Sequence, residues 1–346
     1  MLYKTIVAAT LCAIGASEVS KLSTDCPVML KRLFDDFKHE HRKSYSTMEE
    51  ETHRFNIFVE QLKVIDERNA REAASGGSAV HGITRFSDMT QEEFEETFLD
   101  KNIPHKFKQL NATIVNMPAY DGKYGSVDYT GKQTTAIKDQ GHCGSCWAHA
   151  AAEQIESDGM RLFGNPASLS LSVQQLVDCD HGEGQLGCNG GLQETAFDYV
   201  RENGGIVTEA DYPYTSYYGK DGRCDRTKTN YVMGVNGYEM ILADDVKATE
   251  EGFTTYVLST GTVSIGVDAT TWNTYTGGVM ADCGKGTDIN HAVQLVGVDN
   301  GENGWWKIRN SWSADWGEEG NIRITYGSNT CGLATEGGSY TSVFNI

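Results

Sequence analysis

Residues 138–150 read KDQGHCGSCWAHA and place two cysteines three positions apart, with a tryptophan directly after the second. Such a pair can serve a redox reaction, form half of a metal site, or combine a structural cysteine with a nucleophilic one. Two histidines, His142 and His149, flank the pair. Features elsewhere in the sequence are needed to distinguish these three functions.

The redox and metal interpretations find little support elsewhere in the sequence. Redox enzymes carry a Cys-x-x-Cys pair in a compact βαβ unit, and no such pattern surrounds Cys143 and Cys146. A zinc site needs a second close pair of ligands, whereas Cys179, His181 and Cys188 follow with irregular gaps. We therefore predict no metal and no cofactor.

The number of cysteines favours a nucleophile. Nine cysteines occur in the chain, and seven of them lie between residues 143 and 331. Three disulfides among seven cysteines leave one thiol over. We predict a helix over residues 145–163, which are rich in small side chains. A cysteine at the N-terminus of a helix is stabilised as a thiolate by the helix dipole and by backbone N–H groups.

A thiolate nucleophile needs a base that later returns the proton to the leaving group. His142 and His149 lie too near Cys146 along the chain to face it across a substrate, and we expect both on a helix surface. His181 lies in a glycine-rich loop, where we expect it to be solvated. His291 opens an alternating apolar strand. On these features alone, His291 is explained equally well as a base and as a hydrogen-bonded core residue.

A family resemblance separates these alternatives. The stretch QGHCGSCW resembles the signature of papain-like cysteine proteases, in which a histidine and an asparagine follow roughly 130–150 residues later. His291 lies 145 residues after Cys146, and Asn310 lies 164 residues after it, within the motif NSW. The resemblance extends from about residue 27 to the C-terminus.

The resemblance implies a role for each matching residue. Cys146 is expected to be the nucleophile, His291 its general acid and base, and Asn310 the residue that orients the imidazole. Gln140 is expected to donate to the oxyanion, together with the backbone N–H of Cys146. Trp312 is expected to shield the contact between Asn310 and His291 from water.

The order of predicted elements is that of an α+β protein. Helical patterns come first, and strand patterns dominate beyond about residue 260, which indicates an α+β fold or two subdomains. The resemblance implies the papain-like fold, with a helical half, a β-barrel-like half and the active-site cleft between them. It also implies the disulfides Cys143–Cys188, Cys179–Cys224 and Cys283–Cys331.

The N-terminal third is predicted to be removed in stages. Residues 1–17 have the lysine, apolar run and small residues of a signal peptide. Apolar spacing predicts helical structure over residues 27–73, and residues 27–121 resemble the inhibitory pro-region of cathepsin L-like proteases. We expect a pro-domain at 27–100, a linker and activation segment at 101–121 and a peptidase domain at 122–346. Asn111 opens the N-x-S/T motif of a glycosylation site within the linker.

By resemblance, the pro-region passes through the cleft in the reverse direction, blocks catalysis and is removed at acidic pH. The strip around Gly190 and Gly191 is expected to pair with the substrate backbone. The S2 pocket is expected to be lined by Leu192, Gln193, Gly266, Asn290 and Glu336. A carboxylate at position 336 can pair with an arginine side chain, so we expect S2 to accept both hydrophobic residues and arginine.

Charge and targeting restrict the partners. The formal net charge is −19, and most of the excess acid follows residue 117, which argues against nucleic acid or an anionic membrane as partner. We expect a monomer in the secretory pathway, with an acidic lysosome-like or vacuole-like compartment or the extracellular space as its destination. Its expected partners are protein and peptide substrates, its own pro-region and cystatin-type inhibitors.

The alternative function is a catalytically silent papain-like protein that binds or stores. Loss of the nucleophile, the histidine or the glutamine would mark such a protein. Cys146, His291 and Gln140 are all present. The sequence therefore favours a cysteine endopeptidase made as a zymogen, acting through an acyl-enzyme.

Overall fold

The computed structural model describes residues 27–100, 112–118, 120–182, 184–286 and 288–346. The predicted signal peptide, Cys26, the glycosylation site at Asn111 and most of the linker lie outside these residues. Within the described ranges, none of the helices combines the length and apolar character needed to cross a membrane.

The pro-region begins with two helices rather than one continuous helical segment. Helix α1 spans Pro27–Glu40 and helix α2 spans Met48–Ala74. The chain breaks between them at Arg42, whose φ of 52° is left-handed, and restarts where the Thr47 side chain caps the amide of Glu50. The apolar spacing seen in the sequence forms one small core of Leu30, Phe34, Phe37, Phe58, Leu62 and Ile65.

The remainder of the pro-region docks onto the rest of the molecule. Strand β1 (Val80–His81) pairs with strand β6 (Tyr275–Gly277). Helix α3 (Gln91–Phe98) begins with a capping box between Thr90 and Glu93. Strand β2 (Thr113–Val115) pairs in parallel with strand β4 (Met233–Ile241), although the sequence of this segment predicted only a linker.

The helical half of the peptidase region consists of α4 (Cys146–Phe163), α5 (Val173–Cys179) and α6 (Gln193–Asn203). Ser172 caps α5 by accepting from the amide of Gln175, as its sequence predicts. Helix α6 ends at Gly204, whose φ of 83° is the left-handed conformation that closes helices. Helix α4 is buried from Cys146 through Gly159, because its alanines let neighbouring elements approach closely.

The strand half is an open sheet. It adds β3 (Ser126–Asp128), β5 (Val263–Val267), β7 (Val279–Met280), β8 (His291–Asp299), β9 (Trp305–Arg309), β10 (Asn321–Thr325) and β11 (Gly338–Asn345). The strands run in the order β2-β4-β11-β5-β8-β9-β10-β7, with β3 also paired to β8. Since β2 and β7 at the two ends do not pair among the described residues, the expected barrel-like half is not a closed barrel.

Two elements depart from the predicted order of helices before strands. Strand β4 precedes helix α7 (Val246–Ser259), which packs within the strand half. Strands β4 and β11 also pack against α4 and α6, so the sheet serves both halves of the molecule. The sequence pattern missed β4 and β11 because their long runs mix polar, glycine and apolar residues.

Three disulfides form with the implied pairing. Cys143–Cys188 and Cys179–Cys224 staple the loops of the helical half. Cys283–Cys331 does the same in the strand half. None of the three includes Cys146.

Candidate active site

Cys146 is the first residue of α4, directly after the N-cap residue Ser145. It is 1 % exposed. Its loop is fixed by the disulfide of Cys143 to Cys188 and by the amide of Gly144, which donates to the carbonyl of Cys188 over 2.8 Å. The amides of the first helical turn have no partner within the helix. The thiol therefore lies where a thiolate is stabilised by the helix terminus.

His291 opens strand β8, and its ring is held by Asn310. The distance from His291 Nε2 to Asn310 Oδ1 is 2.8 Å. Asn310 Oδ1 also accepts from the amide of Ser311 over 2.8 Å, which fixes the side-chain amide with its oxygen toward the imidazole. Because that oxygen can only accept, Nε2 carries the proton of the neutral ring. Nδ1, which has no hydrogen-bond partner among the described residues, is then the nitrogen available for proton transfer.

Trp312 covers the pair formed by His291 and Asn310. Its ring lies 4.8 Å from the His291 ring, with 29° between the planes, and Trp312 is fully buried. Burial lowers the pKa of His291 to about 4, and the bond to Asn310 opposes this effect. The imidazole is thus kept neutral in this arrangement, in which the pro-region is present.

Gln140 is tied to both halves of the molecule. Its Oε1 accepts from Ser311 Oγ over 2.7 Å, and its Nε2 donates to the carbonyl of Cys143 over 3.0 Å. Its backbone amide donates to the carbonyl of Ser311 over 2.9 Å. An amide nitrogen has two N–H groups, so one of them remains for a ligand. This is the geometry expected of a preorganised donor for an oxyanion.

The pro-region lies across the cleft between the two halves. The amide of Asp100 donates to the carbonyl of Asn290 in the strand half over 2.6 Å. On the opposite wall, a Cβ added to Gly190 would lie 2.1 Å from Asp100 Oδ2. The φ of Gly190 is 107°, so both backbone conformation and space require glycine here. Asp100 therefore occupies the path between the helical half and the strand half.

Side chains of the pro-region also pack on Trp312. The rings of Phe86, Phe94 and Phe98 lie 5.3, 5.4 and 6.1 Å from the Trp312 ring. Beside them, Arg85 pairs with Asp139 over 2.8 Å and donates to the carbonyl of Trp312 over 3.2 Å. The pro-region thus buries the tryptophan that covers His291.

The predicted S2 residues fall into two groups. Leu192 packs with Met240 and Ile289. On the facing wall, Gly266 pairs with Ala292 between β5 and β8, and the Asn290 side chain accepts from the amide of Ala269 and donates to Thr270 Oγ1.

Gln193 and Glu336 are the polar members of the predicted pocket. Gln193 is 1 % exposed, and neither polar atom of its amide has a hydrogen-bond partner among the described residues. Glu336 is half-buried in the turn that leads into β11. A buried amide without a hydrogen-bond partner is costly, so the Gln193 side chain would be stabilised by a polar group that reached it.

The expectation that His149 lies on a helix surface is wrong. His142 is exposed, but His149 is 2 % exposed, because α4 is enclosed between the two halves. Its ring packs edge-on against Tyr214, with 5.2 Å between centroids. Sequence reasoning missed both Tyr214 and Ser311. Ser311 lies within the motif NSW, which was the signal that could have found it, whereas no motif marked Tyr214.

Comparison with known proteins identifies two family regions. Residues 125–341 match the model described as papain family cysteine protease. Residues 34–94 match the cathepsin propeptide inhibitor domain. The first region includes the residues that form both sides of the cleft, and the second includes most of the segment that packs on it, while Phe98 and Asp100 follow its end.

Individual relatives cover nearly the whole chain. It is 35% identical to cathepsin L of Sarcophaga peregrina over 331 residues, which is 91% of this chain and 94% of that protein. It is 36% identical to cathepsin L 2 of Paramecium tetraurelia over 304 residues, or 87% of this chain and 89% of that protein. Among solved structures, digestive procathepsin L2 of Tenebrio molitor larval midgut matches with a TM-score of 0.77 and 31% identity, covering 90% of this chain and 99% of the other.

Proposed function

Because the chain belongs to the papain family of cysteine proteases and is a cathepsin L-like zymogen, we propose that its mature form is an endopeptidase using Cys146, His291 and Asn310. The observation that carries this proposal is the bond of 2.8 Å between His291 Nε2 and Asn310 Oδ1. That bond supports a role for Nδ1 in proton transfer. The mature domain is proposed to comprise residues 122–346, after a pro-domain at 27–100 and a linker at 101–121.

In the proposed reaction, His291 Nδ1 takes the proton of the Cys146 thiol, and the resulting thiolate attacks the carbonyl carbon of the scissile peptide bond. The oxyanion of the tetrahedral intermediate is stabilised by Gln140 Nε2 and the amide of Cys146. The C–N bond breaks as the imidazolium of His291 protonates the leaving amine, which leaves a thioester on Cys146. His291 then deprotonates a water molecule, which attacks the thioester and returns the thiol with release of the carboxylic acid.

The zymogen is inhibited by its own pro-region, whose path across the cleft supports this role. Asp100 fills the space beside Gly190, where we propose that the substrate backbone binds. Removal of the pro-region is then required before a substrate can approach Cys146. The three disulfides support passage through the secretory pathway, and an acidic compartment or the extracellular space is the proposed destination.

Specificity is proposed to depend on Glu336. Its half-buried position at the start of the turn into β11 would allow the carboxylate to pair with an arginine at P2, while Leu192 and Ile289 would favour a hydrophobic P2 residue. Hydrolysis of Phe-Arg and Arg-Arg dipeptide reporters measures this preference. Glu336→Ala is expected to reduce only the second, and the matched control Glu302→Ala, at an exposed turn, neither. Negligible cleavage of Arg-Arg by the unaltered enzyme would remove this part of the proposal.

The decisive experiment is acid activation of the full-length zymogen, followed by N-terminal sequencing and labelling with an epoxide thiol inhibitor. We expect the new N-terminus near residues 120–125, covalent labelling at Cys146 and cleavage at internal bonds of a protein substrate. A Cys146→Ala zymogen serves as the control. Activity in this control would show that Cys146 is not the nucleophile. Absence of labelling and of activity in the unaltered protein would favour the silent binding or storage alternative.

A further inference from the structure

A chain of hydrogen bonds connects His149, in α4, to the backbone of Gln140. His149 Nδ1 lies 2.9 Å from the carbonyl oxygen of Ser145 and 3.4 Å from Ser145 Oγ. Ser145 Oγ lies 2.8 Å from the hydroxyl of Tyr214. That hydroxyl donates to the carbonyl oxygen of Gln140 over 2.9 Å. The residue before the proposed nucleophile is thus linked to the proposed oxyanion donor.

The ends of this chain determine the position of every proton in it. The carbonyl oxygens of Gln140 and Ser145 can only accept. The Tyr214 hydroxyl must therefore donate to Gln140, and His149 Nδ1–H must donate to Ser145. Since Tyr214 has used its only proton, its oxygen accepts from the Ser145 hydroxyl. The lone pairs of Ser145 Oγ are left facing the His149 N–H.

Burial keeps this pattern of protons in place. It lowers the pKa of His149 to about 3, with Lys138 and Arg309 acting in the same direction and Asp139 and the Ser145 carbonyl opposing. Burial also raises the pKa of Tyr214 above its ordinary value. Both residues therefore remain neutral donors from acidic to neutral pH.

Gln140 is consequently held from two sides. Its backbone oxygen is fixed by Tyr214 of the helical half, and its side-chain oxygen is fixed by Ser311 of the strand half. Ser145, which takes part in the same chain of bonds, directly precedes Cys146. The distance between the two oxyanion donors, Gln140 Nε2 and the Cys146 amide, thus depends on groups that never touch the substrate.

We propose that Tyr214 and His149 are positioning residues of the oxyanion hole, acting through Ser145 on Gln140 and on the start of α4. This inference rests on the proposed function. Oxyanion donors are effective because they are preorganised, and small errors in their placement reduce rates strongly. Loss of either positioning residue should therefore reduce steps that form an oxyanion and spare steps that do not.

Three variants of the full-length zymogen, matured with acid, separate the contribution of Tyr214 from that of His149. Tyr214→Phe removes the hydroxyl and keeps the ring. His149→Phe keeps a ring against Tyr214 and removes the N–H donor. His149→Asn retains an N–H donor at the same number of bonds from Cβ, so it should restore part of the activity that His149→Phe loses. Tyr212→Phe is the matched control, because it removes a buried phenol that bonds to Asp178 in the same half of the molecule.

Two reactions at the same sulfur provide the measurement. Peptide hydrolysis passes through an oxyanion, whereas alkylation of Cys146 by iodoacetate does not. We expect Tyr214→Phe to lower kcat about 10-fold, the value of one hydrogen bond of ordinary strength, with KM and the alkylation rate little changed. Binding of a peptide aldehyde, whose adduct places an oxygen in the oxyanion hole, should weaken by a similar factor. His149→Phe should show the same pattern with a smaller loss.

The outcomes are distinct. Equal losses in hydrolysis and alkylation, losses equal to those of Tyr212→Phe, or unchanged hydrolysis would each overturn the inference. If Tyr214→Phe does not mature, the inference is tested by comparing His149→Phe with His149→Asn. Equal activity of these two variants would contradict the proposed positioning role. Failure of the unaltered protein to hydrolyse peptides would instead refute the proposed function, whatever the variants do.

Discussion

The amide of Asp100 donates to the carbonyl of Asn290 over 2.6 Å, which joins the pro-region to the residue directly before His291. The same aspartate fills the space in front of Gly190 on the opposite wall. One residue thus spans both faces of the cleft.

The first prediction concerns the residue that orients His291. In the acid-matured protein, Asn310→Ala is expected to lower kcat/KM on the order of 10- to 100-fold, because the imidazole loses its fixed orientation and small misplacements are costly. Asn300→Ala, in the turn after β8, is the control and should retain activity. Steady-state kinetics on a peptide reporter gives both values. Equal activity of the two variants would show that the bond to His291 has no catalytic role.

A second prediction concerns the contact between Arg85 and Asp139. This partly buried pair also brings Arg85 to the carbonyl of Trp312. Arg85→Ala should weaken docking of the pro-region by about 10-fold, since a hydrogen-bonded charge is lost, and should shorten the half-time of zymogen processing at a fixed acidic pH. The exposed Arg32 provides the control variant Arg32→Ala. A half-time that does not differ between these variants contradicts the prediction.

The third prediction assigns part of the acid sensitivity of the zymogen to His81. Its Nδ1 lies 2.8 Å from Thr274 Oγ1, to which Arg68 also donates over 2.8 Å. A neutral His81 that carries its proton on Nε2 accepts the Thr274 proton at Nδ1, whereas a protonated ring would direct a second cation at the same oxygen. Burial, and next the Arg68 charge, lower the pKa of His81 from 6.5 to about 4, with Arg71 lowering it further and Asp282 raising it.

The direction in which pH changes the docking of the pro-region follows from the lowered pKa of His81. A proton binds more strongly to His81 when the pro-region is undocked, so docking is strongest above pH 6.5 and weakens as the pH falls toward 4. The expected weakening is on the order of 100-fold, since each pKa unit is about a factor of ten. His81→Leu should lower the pH at which processing reaches half its maximal rate, and His53→Leu, on the exposed face of α2, should not. An unshifted pH profile would remove His81 from the acid response.

A fourth prediction concerns stability near neutral pH. Glu194 is fully buried, and its Oε1 accepts from Ser339 Oγ over 2.7 Å. Burial raises its pKa from 4.5 to about 7, and the bond from Ser339 opposes this shift. The protonated form is therefore favoured in the folded protein, and its stabilising contribution, present below pH 4.5, is lost as the pH rises through about 7.

Glu194→Gln should retain the bond to Ser339 without the buried charge. Its melting temperature is expected to exceed that of the unaltered protein by several degrees at pH 7.5, and to differ little at pH 4.5. Glu202→Gln, in the same helix but with an exposed side chain, is the control at both pH values. A lower melting temperature for Glu194→Gln at pH 7.5 would mean that the carboxylate is stabilising when charged.

Local patterns predicted local structure well. Thr90 and Ser172 begin helices as their capping motifs indicate, and Gly204 ends one. Strand patterns found β5, β8, β9 and β10. Each of these signals lies within a few residues, where backbone sterics and hydrogen bonding act directly.

The sequence patterns did not predict contacts between segments that are distant along the chain. Strand β2 forms because it pairs with the edge of β4, and no pattern within Thr113–Val115 predicts that partner. The break between α1 and α2 depends on the left-handed conformation of Arg42, which is uncommon for a residue with a Cβ. His149 was misjudged because its burial depends on what surrounds α4 and not on the helix itself.

The sequence by itself determined which reactive groups are present: a cysteine at a predicted helix start, with a histidine and an asparagine downstream in family motifs, and an odd number of cysteines between residues 143 and 331. Only the tertiary structure decided how these groups meet. It fixed the orientation of His291 through Asn310, enclosed the pair under Trp312, placed Asp100 across the cleft and connected His149 to Gln140. The physical reason is that orientation, burial and hydrogen-bond direction arise from contacts between segments that only folding brings together, 19 residues apart for His291 and Asn310 and 74 residues apart for Gln140 and Tyr214.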